Sequence, residues 1–323
     1  MRLEIRMWFL LLSSLMLVAT GASAEDYPTR PIRLVVGYAP GGSPDAVART
    51  LGQRLSEILK QPFVIDNRPG ASGTIAANQT AKAASDGYTL FVNDISQYAI
   101  TPLLYKDLPY DPKTAFTPIA LAVMVPLVVA ASAKTGIKTL SDLVRQAKAN
   151  PGKINYGSPG IGSPHHIAME VFCREAGIVL THIPYKGASQ YIPAVVSGEI
   201  QVVISAFTGA APYAKTGQVN LLGVTSEKRF SVAPDVPAIG EFYKGYEFSQ
   251  GIGILAPAGL SPEIVAKLSA AVKTAIAGPD MNERLIKLGL ISTWLSSQDY
   301  AEYLRQNLDK YKRAVDESHI ILN

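Results

Sequence analysis

Two short glycine-rich segments carry the residue types that could hold a ligand: Tyr38-Ala-Pro-Gly-Gly-Ser-Pro-Asp45 and Ser158-Pro-Gly-Ile-Gly-Ser-Pro-His-His166. Each reads as a strand end, a glycine turn and a helix start. Glycines leave backbone N–H groups unscreened, and a helix N-terminus carries about half a positive charge, so such a turn can bind an anion. In the first segment Ser43 fits the cap position, Pro44 the first helical position, and Asp45 complements the dipole. Ser163-Pro164 repeats the device. Ser261-Pro262 is a third Ser-Pro helix start with no glycine turn in front of it, so only the glycines speak for a ligand. Neither segment is a nucleotide loop, because G-x-x-x-x-G-K-[ST] and G-x-G-x-x-G are both absent. The first arginine after Tyr38 is Arg49, inside the helix. An anion here would be held by dipoles and hydroxyls, without a guanidinium fork. Two ordinary strand-to-helix turns facing nothing are the alternative.

Catalytic chemistry finds little support. There is no G-x-S-x-G elbow, since Gly70-Ala-Ser-Gly73 has the wrong spacing. Adjacent histidines on a helix point apart, and no carboxylate-rich or cysteine-rich set accompanies His165-His166, so no metal and no other cofactor is expected. His165 reads as facing solvent and His166 as facing a cleft or the core, with Glu170 one turn later orienting it. Lys186 in Pro184-Tyr-Lys-Gly187 could approach an anion or remain an exposed loop lysine; Tyr38, Tyr98, Tyr185 and Tyr191 could offer ring faces, hydroxyls or packing. Cys173 is the single cysteine and reads as a small core residue.

The positioning elements follow from pattern. Residues 1–24 read as an export leader: Arg2 and Arg6, an apolar run from Met7 to Val18, and the small-residue site Ala22-Ser23-Ala24. The mature chain then starts at Glu25, exported and soluble. The formal charge of +4 falls to +3 without Arg2, Arg6 and Glu4, and no basic block occurs, so nucleic acid is not implied. Arg33 to Val92 alternates strand, helix, strand, helix, strand. That pattern predicts a parallel sheet with ligands at the carboxyl ends of its strands. Pro102 to Pro118 reads as loop. Leu121–Ala131 and Tyr246–Leu255 are apolar segments able to cross between lobes, and a second strand–helix unit lies between them. Helices are expected at Pro262–Ala277 and, capped by Ser297, from Gln298 to Ser318. The fold class is therefore α/β in two lobes, each a mostly parallel sheet flanked by helices: residues 25–123 with 254–323, and 124–253.

Seven motifs in order carry a family resemblance. They are Tyr27-Pro-x-Arg-Pro-Ile-Arg-x-Val-Val, Pro40-Gly-Gly-x-x-Asp45, Asp66-Asn-Arg-Pro-Gly-Ala71, Ser85-Asp-Gly-Tyr-Thr-Leu90, Asn155-Tyr-Gly-Ser-x-Gly160, His182-Ile-Pro-Tyr-Lys-Gly187 and Ser197-Gly198 before Val202-Val-Ile-Ser205. The mature chain resembles the solute receptors of tripartite tricarboxylate transporters (the Bordetella uptake gene, or TctC, family). The resemblance implies a periplasmic, two-lobe, Venus-flytrap-like binding protein, not an enzyme. It would be a monomer that delivers a carboxylate, often a dicarboxylate, aliphatic or aromatic, to large and small membrane subunits. Tyr38, Ala39, Pro40, Gly41, Gly42 and Ser43 would hold one carboxylate, with Asp45 bracing their loop. Ser158, Gly160, Gly162, Ser163 and His166 would form the other side. Ser72, Ser96, Gln97, Lys186, Gly187, Ala188, Ser205, Ala206 and Phe207 sit at other strand ends. A receptor for a sensor or chemotaxis pathway, and more remotely a secreted hydrolase, are the competing readings.

Overall fold

The computed structural model describes residues 27–105 and 107–318; the expected leader and the start at Glu25 lie outside the described residues. The first unit runs β1 (Ile32–Val36), α1 (Ser43–Leu59), β2 (Phe63–Asn67), α2 (Thr74–Ala81) and β3 (Thr89–Asp94). β1 lies between β2 and β3, parallel to both. Val47, Leu51 and Leu55 recur at helical spacing and bury one face of α1 against this sheet. After β3 the chain enters a π-helical turn (Ser96–Ile100) and a short helix α3 (Thr101–Leu104), whose last three residues fall where the sequence predicted loop, from Pro102 on.

β4 (Phe116–Val125) and β5 (Leu127–Ser132) are one apolar run broken by Pro126, and they belong to different sheets. α4 (Leu140–Ala149), β6 (Asn155–Ser158), α5 (Pro164–Ala176), β7 (Thr181–Pro184), α6 (Ala188–Ser197), β8 (Val202–Ala206), α7 (Phe207–Lys215) and β9 (Val219–Val224) complete the second lobe. β10 (Gln250–Pro257) returns the chain to the first sheet. α8 (Pro262–Ala277), α9 (Pro279–Lys287), β11 (Ile291–Leu295) and α10 (Ser297–Glu317) then finish the first lobe. The strand orders are β11-β4-β10-β3-β1-β2 and β7-β6-β8-β5-β9.

The two lobes and their flanking helices are as expected, but the sheets are mixed rather than mostly parallel. β10 pairs antiparallel with both β3 and β4, and β5 with both β8 and β9. The cause is the crossings: a strand that enters a lobe from its neighbour meets the local βα unit head-on. Two cap assignments also change. Gly42 takes the extended cap conformation of α1 and Ser43 is already helical. Ser296, not Ser297, caps α10 by accepting the Asp299 N–H at 3.2 Å. α10 lies across both lobes: Tyr300, Leu304 and Tyr311 are buried along it, and Arg174 of α5 pairs with Glu317 at 2.6 Å.

Gly253, mid-β10, shows how tightly the central sheet is filled. A Cβ there would lie 2.5 Å from the Ala120 carbonyl oxygen and 2.5 Å from the Tyr300 ring. Neither a sheet backbone nor a fully buried ring can retreat cheaply. Gly253→Ala should therefore cost about 1–3 kcal/mol or more of stability, read as a lowered urea midpoint. An unchanged midpoint would show that the strand yields.

Candidate ligand-binding cleft

The carboxyl ends of β1 and β3, the start of α1, the start of α5 and the crossing strands converge on a cleft of about 410 Å³ between the lobes. Six of the sequence-selected residues line it: Tyr38, Ser43, Ser72 and Ser96 on the first lobe, Gly162 and Ser163 on the second. The remaining walls mix apolar side chains, Ile100, Leu104, Val125 and Ile252 on the first lobe and Ile161 on the second, with the polar Asp94, Thr101, Gln250 and His165. No lysine or arginine is among the lining residues.

The first loop is braced from within. Asp45 is buried and accepts the Gly41 N–H at 2.9 Å, the Asn67 amide at 2.9 Å and a two-point contact from Arg49 at 3.0 Å. Burial alone would raise its pKa, but the hydrogen bonds from Arg49, Gly41 and Asn67 hold the carboxyl below the usual range. Asn67 also donates to the Tyr38 carbonyl at 3.1 Å, tying β2 to the same loop. Asp45 is thus a brace behind the cleft and does not line it. Ala39, Pro40, Gly41 and Gly42 are exposed rim of the loop, and none of them lines the cleft.

Above β3 a hydrogen-bond cluster forms that the sequence reading missed. Asp94, 7% exposed, accepts from the Tyr38 hydroxyl at 2.7 Å, the Ser96 hydroxyl at 2.5 Å and the Gln97 N–H at 3.0 Å. Burial raises its pKa and the hydrogen bonds oppose the rise. Gln97 is buried beneath the cleft. Its amide lies so close to two backbones that a Cβ on Gly37 or Gly73 would come within 2.1 Å or 2.0 Å of it.

On the second lobe Ser163 caps α5, accepting the His166 N–H at 3.2 Å and donating to the Gly160 carbonyl at 2.8 Å. Gly160 builds this turn and does not reach the cleft. His165 departs from the solvent position expected of it, while His166 takes the core side of its expectation. His165 is buried and lines the cleft, with Nδ1 unpartnered among the described residues. His166 turns inward, accepts the Gly162 N–H on Nδ1 at 3.1 Å and stacks on His182 at 4.1 Å. The facing lobe covers the start of α5, so the side read as solvent is the cleft. Ser158 is fully buried behind the wall, bonded to His182 Nε2 at 2.7 Å. Tyr156 stacks on His182 at 4.8 Å and donates to Glu170.

Lys186, Gly187 and Ala188 fall on a separate turn, where the Lys186 N–H donates to Gln190 at 3.0 Å; Lys186 and Ala188 are exposed. Ser205 is buried and bonds the Ala206 carbonyl at 3.0 Å, while Ala206 and Phe207 pack into the two cores. None of these six lines the cleft. Cys173 is buried, and burial pushes its thiol pKa up. Among the described residues no His, Cys, Asp and Glu cluster could hold a metal, and no helix is long and apolar enough to cross a membrane.

Residues 47–320 match the family described as tripartite tricarboxylate transporter family receptor (TctC). The chain belongs to this family. It is a solute-binding receptor; TctC receptors are periplasmic, bind small carboxylates and work with tripartite transporters. Similar relatives include a UPF0065 protein of Bordetella bronchiseptica, 36% identical over 95% of this chain and 91% of that protein. BugT of Bordetella pertussis is 29% identical over 93% of each chain. Among solved structures, an R. palustris protein with adipate has a TM-score of 0.79 at 31% identity, covering 91% of this chain and 99% of that one. MatC from Rhodopseudomonas palustris with bound malate has a TM-score of 0.74 at 30% identity, covering 90% and 100%. A TctC receptor needs two lobes and a cleft between them, and both are present here.

Proposed function

We propose that this TctC receptor captures a small carboxylate, a dicarboxylate in particular and either aliphatic or aromatic, in the cleft between its lobes. The observation that carries this is the pair of helix starts, Ser43 on α1 and Gly162–Ser163 on α5, meeting across one cleft without a formal cation. Adipate and malate in two similar structures support the carboxylate class. In this reading the chain is exported, cleaved near Ala24 and monomeric. It hands its ligand to a large and a small membrane subunit of a tripartite transporter. The lobes divide at the crossings, Pro126 and Ser249, a few residues inside the expected bounds of 123/124 and 253/254, and they rotate about those two points.

The protein acts without turnover. The one Ser–His hydrogen bond of nucleophile type among the described residues, Ser158 to His182, is buried behind the wall and absent from the cleft lining. Ser163 does line the cleft, but its hydroxyl is committed to Gly160 and its partner is a backbone N–H, not an imidazole.

A thermal-shift screen of aliphatic and aromatic mono- and dicarboxylates tests the proposal. A ligand at a hundredfold excess over Kd should stabilise the fold by about 2.7 kcal/mol. Affinity should vary little between low and high salt, because no exposed charge dominates the site. A folded protein that no carboxylate stabilises would count decisively against this function.

A further inference from the structure

We infer that the ligand carries a protonated amine as well as its carboxylate, and that Asp94 is the residue that selects it. The inference rests on the carboxylate reading and sharpens it. Asp94 is acceptor-only when ionised, and its two oxygens take the proton of the Tyr38 hydroxyl at 2.7 Å and of the Ser96 hydroxyl at 2.5 Å. Tyr38 and Ser96 are also 3.0 Å apart, but each has a single proton and both are committed to the carboxylate. Thr101, beside them, gives its proton to the Ser72 and Ser96 carbonyls, both at 3.2 Å. Tyr38, Ser96 and Thr101 all line the cleft. They present lone pairs there, where hydroxyls free to turn would have donated to a carboxylate.

With Asp94 ionised, this corner of the cleft is therefore a patch of acceptors around a buried negative charge. None of the lining residues is a lysine or arginine, and His165, the one imidazole among them, is held neutral by burial. A buried carboxylate without a countercharge is costly, and a ligand ammonium placed against it would supply both the charge and the donors. A plain dianion would bring two more acceptors to the same corner. Donor capacity lies elsewhere in the cleft: the Ser43 hydroxyl has no partner among the described residues, and His165 Nδ1, unpartnered on the other wall, donates when its ring carries the proton there. Carboxylate at the helix starts and ammonium at Asp94 describe an amino carboxylate, aminodicarboxylates included.

Calorimetry on the mature wild-type protein with matched pairs decides the matter: succinate against L-aspartate, glutarate against L-glutamate, adipate against 2-aminoadipate. In at least one pair the amine should bind tenfold or more tightly. Asp94→Asn should erase or invert that preference, since an amide supplies a donor and frees a hydroxyl proton for the cleft. If Asp94→Asn does not fold, the wild-type pairs still decide the question, and Ser96→Ala, which removes one cleft-facing acceptor, should narrow the preference. A plain dicarboxylate that equals or outcompetes its amine in every pair would overturn the amine assignment and leave the carboxylate reading standing. Binding by no carboxylate of either kind would overturn both.

Discussion

Ser163→Asp should abolish carboxylate binding while leaving the fold intact. Aspartate caps a helix as well as serine does, and the acceptor role of Ser163 toward the His166 N–H at 3.2 Å is one a carboxylate can fill. The new charge, however, sits at the α5 start on the cleft wall. At about 4 Å and an effective dielectric of about 20, repulsion between two unit charges is about 4 kcal/mol, roughly a thousandfold in Kd. Ser163→Ala is the companion variant. It should cost about 1 kcal/mol of stability as a lost cap and change affinity little, because the serine proton is already given to Gly160. Calorimetry with any carboxylate that stabilises the wild type reads both. Unchanged affinity in Ser163→Asp would remove the α5 helix start from the site.

Acid should unfold the protein from its second lobe, between about pH 6.5 and pH 4. Burial pushes His165, His166 and His182 down to about 4, and the His182 neighbour adds to the effect on His166. In the unfolded chain each returns to about 6.5. Below that pH the unfolded state takes up protons that the folded state refuses, so stability is complete above about 6.5 and is lost as pH falls toward 4. The slope is about 1.4 kcal/mol per pH unit for each histidine fully in the window. Glu170 and Asp94, both raised by burial, act in the opposite sense, from about pH 4 in the unfolded chain upward to their higher folded values and so within the same window. Three histidines outweigh them through most of the range. Urea midpoints measured from pH 7.5 to 4.5 should fall steeply, and His182→Gln, which keeps a partner for Ser158, should flatten the curve. A midpoint independent of pH would mean that these rings are protonated in the folded state.

The parts legible in the sequence are those that repeat a local pattern. The alternating run from Ile32 to Val92 and the two Gly-Ser-Pro turns each state their element in neighbouring residues, and the apolar stretches 121–131 and 246–255 are long enough to betray a crossing. What was not legible depends on contacts far along the chain. The direction of β10 is set by where its partners already lie. α9 and β11 are too short and too polar to stand out before they pack. The loop expected from Pro102 opens instead inside one helical turn, which together with the π-helical turn before it places Ile100, Thr101 and Leu104 in the cleft wall. Asp94 was visible only as an acidic residue after a strand, which ordinarily marks a turn. Its hold on Tyr38 and Ser96 needs β1 beside β3, a pairing between segments 56 residues apart. The choice between His165 and His166 turned on what covers α5, and that is the other lobe.

The antiparallel seat of β10 has a consequence for how the chain comes to be folded. The second lobe is one continuous stretch between the crossings and holds all five strands of its sheet. The first is not: β10 occupies the place between β3 and β4, and it follows β3 only after about half the chain has passed. Until it arrives, β3 and β4 each present an unpaired apolar edge, the kind that invites aggregation. Closing so large a loop is also entropically slow. A chain emerging from a membrane N-terminus first would thus complete its second lobe while the first still waited, edges open, for its last quarter. Folding helpers on the far side of that membrane would find their substrate there, in the unfinished half-sheet made of β1, β2 and β3.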